Sequence, residues 1–127
     1  MTRTAALFVP LMPPSTNSIY AGVHWAKRKK EADRVHGHVA LVASESRIKP
    51  FAGPVHISMT PSLGKGARSR DVSNYSYAYK LIEDALVHAG VIAGDEADKV
   101  VSMTIHAPTV DREAASGLWV TISEVTA

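Results

Sequence analysis

The sequence predicts a single α+β domain with the order β-α-β-α-β-β, a mixed sheet packed by two helices. Three observations predict it. Two long segments carry apolar residues at helical spacing, four short segments are apolar or alternate apolar with polar, and prolines and glycines separate them. At 127 residues, 46% of them hydrophobic and 20% charged, the chain supports one core, and residues 1–127 are taken as one domain. Strands that alternate with amphipathic helices bury their faces most simply as helices laid on a sheet.

The elements follow in order. Thr4–Val9 is short, apolar and bounded by Pro10, which predicts a strand. Residues 10–22 hold three prolines, Asn17 and Gly22, which predicts an ordered loop. From His24 to about Ser46, apolar or small residues fall at Trp25, Ala32, Val35, Val39 and Val42, the spacing of one helix face. Pro50, Gly53 and Pro54 end that region. Val55, Ile57 and Met59 alternate with His56, Ser58 and Thr60, the mark of a half-buried strand. Ser62–Arg70 reads as a mobile loop. A second helix runs from about Asn74 to Ala89 and stops at Gly90, with Tyr75, Ala78, Ile82, Ala85, Leu86 and Ala89 on the face toward the sheet. Val100–Ala107 and Leu118–Ser123 are expected to form an antiparallel pair around the polar stretch 111–117.

Composition narrows the function. The absence of cysteine excludes disulfides, thiolate zinc sites and a thiol nucleophile. The apolar stretch from Ala5 to Met12 is interrupted by proline and is not read as a leader, no run reaches membrane-spanning length, and a cytoplasmic protein is expected. The net charge of +2 hides an asymmetry. Residues 1–70 hold eleven Lys/Arg against three acids, +8, whereas residues 71–127 hold three against nine, −6. A basic half beside an acidic half suits nucleic-acid chemistry.

The carboxylates are placed where such chemistry would use them. Asp71 opens the second helix, Asp84 lies on it and Asp95 follows it, while Lys65, Arg68 and Arg70 lead into Asp71. Isolated carboxylates next to a cationic approach can hold a divalent metal against a phosphate. Ser73, Tyr77, Lys80 and Asp84 recur at i, i+4, i+7 and i+11 and share a stripe, although Lys80 and Asp84 are also a plain helix ion pair. Lys27, Arg28, Lys29 and Lys30 give the first helix a cationic start. Other sites are discounted. Gly64-Lys65-Gly66 lacks the spacing of a phosphate loop, so no nucleotide cofactor is expected. His36 and His38 are not an i, i+4 pair, and Ser73 has no His-Asp partner. Tyr75, Tyr77 and Tyr79 are expected in core or dimer-interface roles, Tyr75 in the core and Tyr77 with a nucleic acid as the alternative, and Trp25 and Trp119 are expected in packing roles.

Taken together, these segments resemble the RusA family of Holliday junction resolvases, over nearly the whole chain. Pro10-Leu11-Met12-Pro13-Pro14-Ser15-Thr16-Asn17 is similar to the family's opening strand and Pro-Pro-Ser-x-Asn loop. Arg70-Asp71-Val72-Ser73-Asn74, then Lys80 and Asp84-Ala85-Leu86, is similar to Arg-Asp-x-Asp-Asn, Lys, Asp-(Ala/Gly)-Leu. His88–Asp95 is similar to the Ala-Gly-Val/Leu-x-x-Asp-Asp segment that follows. The resemblance implies a homodimeric, metal-dependent endonuclease that cuts four-way junction DNA. It maps catalytic positions onto Asp71, Ser73, Lys80 and Asp95, with Asp71 and Asp95 as ligands of Mg²⁺, for which Mn²⁺ can substitute. Lys27, Arg28, Lys29, Lys30, Lys65, Arg68 and Arg70 are the expected DNA contacts. The chain departs from the pattern twice. Gly94 stands where a first Asp often sits, which leaves Glu96 as an alternative to Asp95. Ser73 stands where the family carries a carboxylate. Either a neighbouring acid (Glu96, Asp98 or Asp84) supplies the charge, or water fills the gap, or the protein binds junctions and cuts them poorly.

Overall fold

The computed structural model describes residues 2–22 and 24–125. The order is β1 (Thr4–Val9), α1 (Thr16–Tyr20), α2 (Trp25–Glu45), β2 (Val55–Leu63), a 3₁₀ turn (Val72–Tyr75), α3 (Ser76–His88), β3 (Val100–Ile105), β4 (Thr109–Val110) and β5 (Gly117–Glu124). The expected α+β architecture is present: one mixed five-stranded sheet whose core face is covered by α2 and α3.

The sheet order is β1-β5-β2-β3, with β4 also paired to β2. β5 runs antiparallel to both β1 and β2, whereas β3 and β4 run parallel to β2. The expected antiparallel pair of the last two long strands is therefore incorrect. Burial gives the reason. Leu118, Val120 and Ile122 of β5 are fully buried, so β5 takes the central position between β1 and β2. β3 buries almost nothing and stays at the edge, with Val101 and Met103 exposed. Strands of such different polarity compete for different places in a sheet.

The helices follow their sequence signals closely. His24 caps α2 by accepting the Ala26 N–H, and Val35, Val39 and Ala43 form its buried stripe. α3 buries Ala78, Ile82, Ala85 and Leu86 as expected, and also Tyr79, Leu81 and Glu83. Ala89 is exposed, because the helix has already ended: Gly90 takes φ +75°, a left-handed conformation that suits glycine.

Three local expectations change. The segment 10–22 is not all loop, since Ser15 caps the short helix α1 through the Ser18 N–H. β2 continues past Thr60 to Leu63. The stretch after it is anchored rather than mobile: Arg112 Nη1 donates to the carbonyls of Gly64 (2.6 Å) and Ala67 (2.8 Å), and Gly64 N–H donates to Ser116 Oγ. Nor are the tryptophans packed away. Trp25 is 68% exposed and Trp119 is 49% exposed, the latter lying against Phe8 with ring centroids 5.0 Å apart.

Candidate functional site

The site is assembled where α1 and the start of α3 meet. Thr16 is the pin. It accepts the Tyr77 N–H at 2.9 Å, donates to the Asn74 carbonyl at 3.3 Å and shares a hydrogen bond with Ser76 Oγ at 2.9 Å. Asn17 N–H donates to Asn74 Oδ1 at 2.9 Å. Arg70 Nη1 donates to the Pro13 carbonyl at 2.9 Å, and the Arg70 N–H donates to Tyr75 Oη. The proline-rich segment and the Arg70–Asn74 segment, far apart in sequence, are thus hydrogen-bonded to one another. Arg70 is committed to this joint and half-buried, while Lys65 and Arg68 are exposed.

Beyond the joint, α3 presents Lys80. Its Nζ lies 3.3 Å from Glu83 Oε1, 3.2 Å from Asp84 Oδ1 and 3.2 Å from Asp95 Oδ2. Burial lowers the Lys80 pKa, but the hydrogen bonds that it donates to Asp95, Asp84 and Glu83 outweigh it and hold the ammonium above its ordinary value. Asp95 reaches this point because the loop after α3 is fixed at both ends. Val91 and Ile92 are buried in the core, and the Glu96 carbonyl accepts the N–H groups of Lys99 and Val100. Of the two adjacent acids, Asp95 faces Lys80, whereas the Glu96 carboxylate folds back over Gly94.

Glu83, Asp84 and Asp95 offer carboxylate oxygens all within 4.8 Å of one another and can hold a metal ion. The donor set is chemically suited to a hard divalent cation. The Lys80 ammonium lies among those same oxygens, so an ion would share or take over its place. Asp71 belongs to no such group among the described residues. It precedes the 3₁₀ turn, exposed, with no side-chain capping bond, and Ser73 sits exposed in that turn. Sequence reasoning brought Lys80, Asp84 and Asp95 forward but missed Glu83. Its position on the core side of α3 reads as an apolar slot, and Tyr79 supplies the partner that permits burial. Tyr79 Oη donates to Glu83 Oε2 at 2.9 Å, and burial followed by that bond pushes the phenol well above its ordinary value.

Beside Lys80, and lined by Asp84 as well, a groove of about 520 Å³ opens between α1, α2 and α3. Arg28, Lys29 and Lys80 supply its positive charge, and Thr16, Ser76 and Tyr77 its hydroxyls. Lys29 is paired with Asp33 at 3.0 Å, and Arg28 makes no ion pair among the described residues. Tyr77 Oη is buried without a hydrogen-bond partner, and burial raises its pKa, opposed by Arg28. Of the stripe expected from the sequence, Tyr77, Lys80 and Asp84 line the α3 side of this groove, whereas Ser73 lies in the 3₁₀ turn and does not. Lys27 and Lys30 are exposed on the neighbouring surface of α2.

No protein-family model and no curated protein matches the chain.

Proposed function

We propose that this protein is a metal-dependent endodeoxyribonuclease that resolves four-way DNA junctions, as its sequence resemblance to the RusA family implies. The observation that carries the reading is Lys80. It stands 3.2 Å from Asp95 and at the same time lines the basic groove, so one side chain joins a carboxylate corner to a phosphate-binding surface. Metal-assisted hydrolysis of a phosphodiester uses both of those together.

Asp95, with Asp84 and Glu83 beside it, would hold Mg²⁺, or Mn²⁺ in its place. Asp84 supplies the charge that the neutral Ser73 lacks, and the exposed Asp71, the other ligand the resemblance implies, would join that group from the turn before α3. When bound, the ion supplies Lewis acidity to the scissile phosphate and a nucleophile at neutral pH. Arg28 and Lys29 hold the strand by its phosphates in the groove. Lys80, once drawn from the carboxylates toward the scissile group, offsets the charge that builds on the phosphoryl oxygens. Glu83 keeps Lys80 aimed, itself fixed by Tyr79. Two symmetric cuts call for a two-fold homodimer, whose axis matches that of the junction.

A second reading has an observation of its own. Lys80 already neutralises the three carboxylates and Ser73 brings no charge, which favours a protein that binds junctions and leaves them uncut. Incubation with a mobile four-way junction and a linear duplex, in Mg²⁺ and then Mn²⁺, separates the two. Paired nicks on the junction that vanish in Asp71→Asn support the enzyme. Tight, salt-sensitive junction binding with no cut in either metal supports the binder. Absence of junction binding at low salt rejects both.

A further inference from the structure

Two large aromatic side chains, one lining the groove and one a helical turn before its cations, stand largely exposed to solvent. Tyr20 ends α1, lines the groove and is 79% exposed. Trp25 opens α2 and is 68% exposed, with its ring 5.5 Å from that of His24. Trp25 precedes Arg28 and Lys29 by three and four residues, so it rises from the same helix face one turn before them. Exposed aromatic rings beside a groove of cations and hydroxyls form the combination that binds single-stranded nucleic acid. The cations follow the phosphates while each ring offers a face for a base. The groove volume falls within the roughly 300–1,000 Å³ of sites that enclose a small molecule.

We infer that this groove binds a nucleic-acid strand with an unpaired base stacked on Tyr20 or Trp25, the phosphates following Arg28 and Lys29. The inference deepens the nucleic-acid reading above and rests on it. For a junction enzyme it means that a nucleotide at the crossover is taken out of the stack and held by α1 and α2. His24 favours Trp25 as the principal platform, because its ring lies against the indole and its own position is fixed by the helix cap.

The chain has two tryptophans, so a Trp119→Phe variant reports on Trp25 alone. That variant is titrated at low salt with a single-stranded oligothymidylate and with a blunt duplex of the same length. The expected result is strong quenching of the Trp25 fluorescence by the single strand and little by the duplex. In a parallel anisotropy titration, Trp25→Ala and Tyr20→Ala weaken oligothymidylate binding by about five- to hundredfold, and Trp25→Phe retains most of it. Unquenched fluorescence, or equal quenching by duplex, overturns the inference. So does single-strand binding that neither alanine variant changes. Junction cleavage is followed with the same proteins. Quenching without cleavage upholds the stacking site and sinks the nuclease, whereas cleavage without quenching sinks the stacking site alone.

Discussion

The two walls that meet at Lys80 satisfy their charges in opposite ways. On the acidic side, each of three carboxylates already holds the same ammonium, and Glu83 is further committed to Tyr79. On the basic side, Arg28 makes no ion pair among the described residues, and the hydroxyls of Thr16 and Ser76 are spent on fixing α1 to α3. The acidic corner is closed on itself, and the groove presents charge to whatever enters. The difference teaches that the groove needs no rearrangement to attract a phosphate, whereas the carboxylates become free for a cation only when Lys80 leaves them.

The sharpest way to break that comparison is to remove Lys80. Lys80→Met is expected to cut junction cleavage by about 10²–10³-fold, the usual loss when a group facing developing charge is removed. The same variant should gain more thermal stability from added Mn²⁺ than the parent does, because its carboxylates lack their internal cation. A variant that gains nothing would show that the three carboxylates do not hold metal. Ser73→Asp sharpens the comparison from the other direction. Cleavage should rise and half-maximal rate should need less metal, measured as a Mn²⁺ titration of junction nicking.

On the basic wall, Arg28→Ala should weaken junction binding at all sequences. It should lower the slope of log affinity against log salt by roughly 1, read from anisotropy titrations across salt. Within the acidic wall, Glu83 and Asp84 should separate in urea denaturation. Glu83→Ala leaves the Tyr79 hydroxyl buried without its acceptor and should cost about 1–3 kcal/mol. Asp84→Ala, at a half-exposed position, should cost under about 1 kcal/mol.

The smallest effect concerns alkaline pH. Tyr79 is held above its ordinary pKa of 10.0 in the folded chain. Its contribution is therefore complete below about pH 10 and is lost as pH rises toward the folded value. Lys80, also raised, acts in the same direction above its ordinary 10.5. Melting temperature should fall as pH rises above about 10, and Tyr79→Phe should flatten that fall.

Much of this fold was legible because its signals are local. Period-two alternation marked Val55–Thr60, helical spacing marked Val35, Val39, Ala78, Ile82 and Ala85, and Gly90 marked the end of α3. The strand order was not legible. Whether β5 pairs with β3 or inserts between β1 and β2 depends on total burial across the sheet, which a short window of sequence does not carry. At the site, Lys80, Asp84 and Asp95 stood out by spacing and by family pattern. Glu83 did not, since its burial depends on a hydroxyl one turn away, and the anchoring of the Gly64–Ala67 stretch depends on Arg112, far along the chain. The exposure of Trp25 was also missed. Its position matches an apolar slot, but it lies in the first turn of α2, which overhangs the edge of the core.

The measurement that tests the central claim most directly is cleavage of a mobile four-way junction by the parent protein and by Asp95→Asn, side by side in Mg²⁺ and Mn²⁺. The account predicts paired, symmetric nicks that require metal and disappear in Asp95→Asn, while junction binding persists. Nicks that survive Asp95→Asn unchanged, or a parent protein that neither binds nor cuts the junction in either metal, would contradict it.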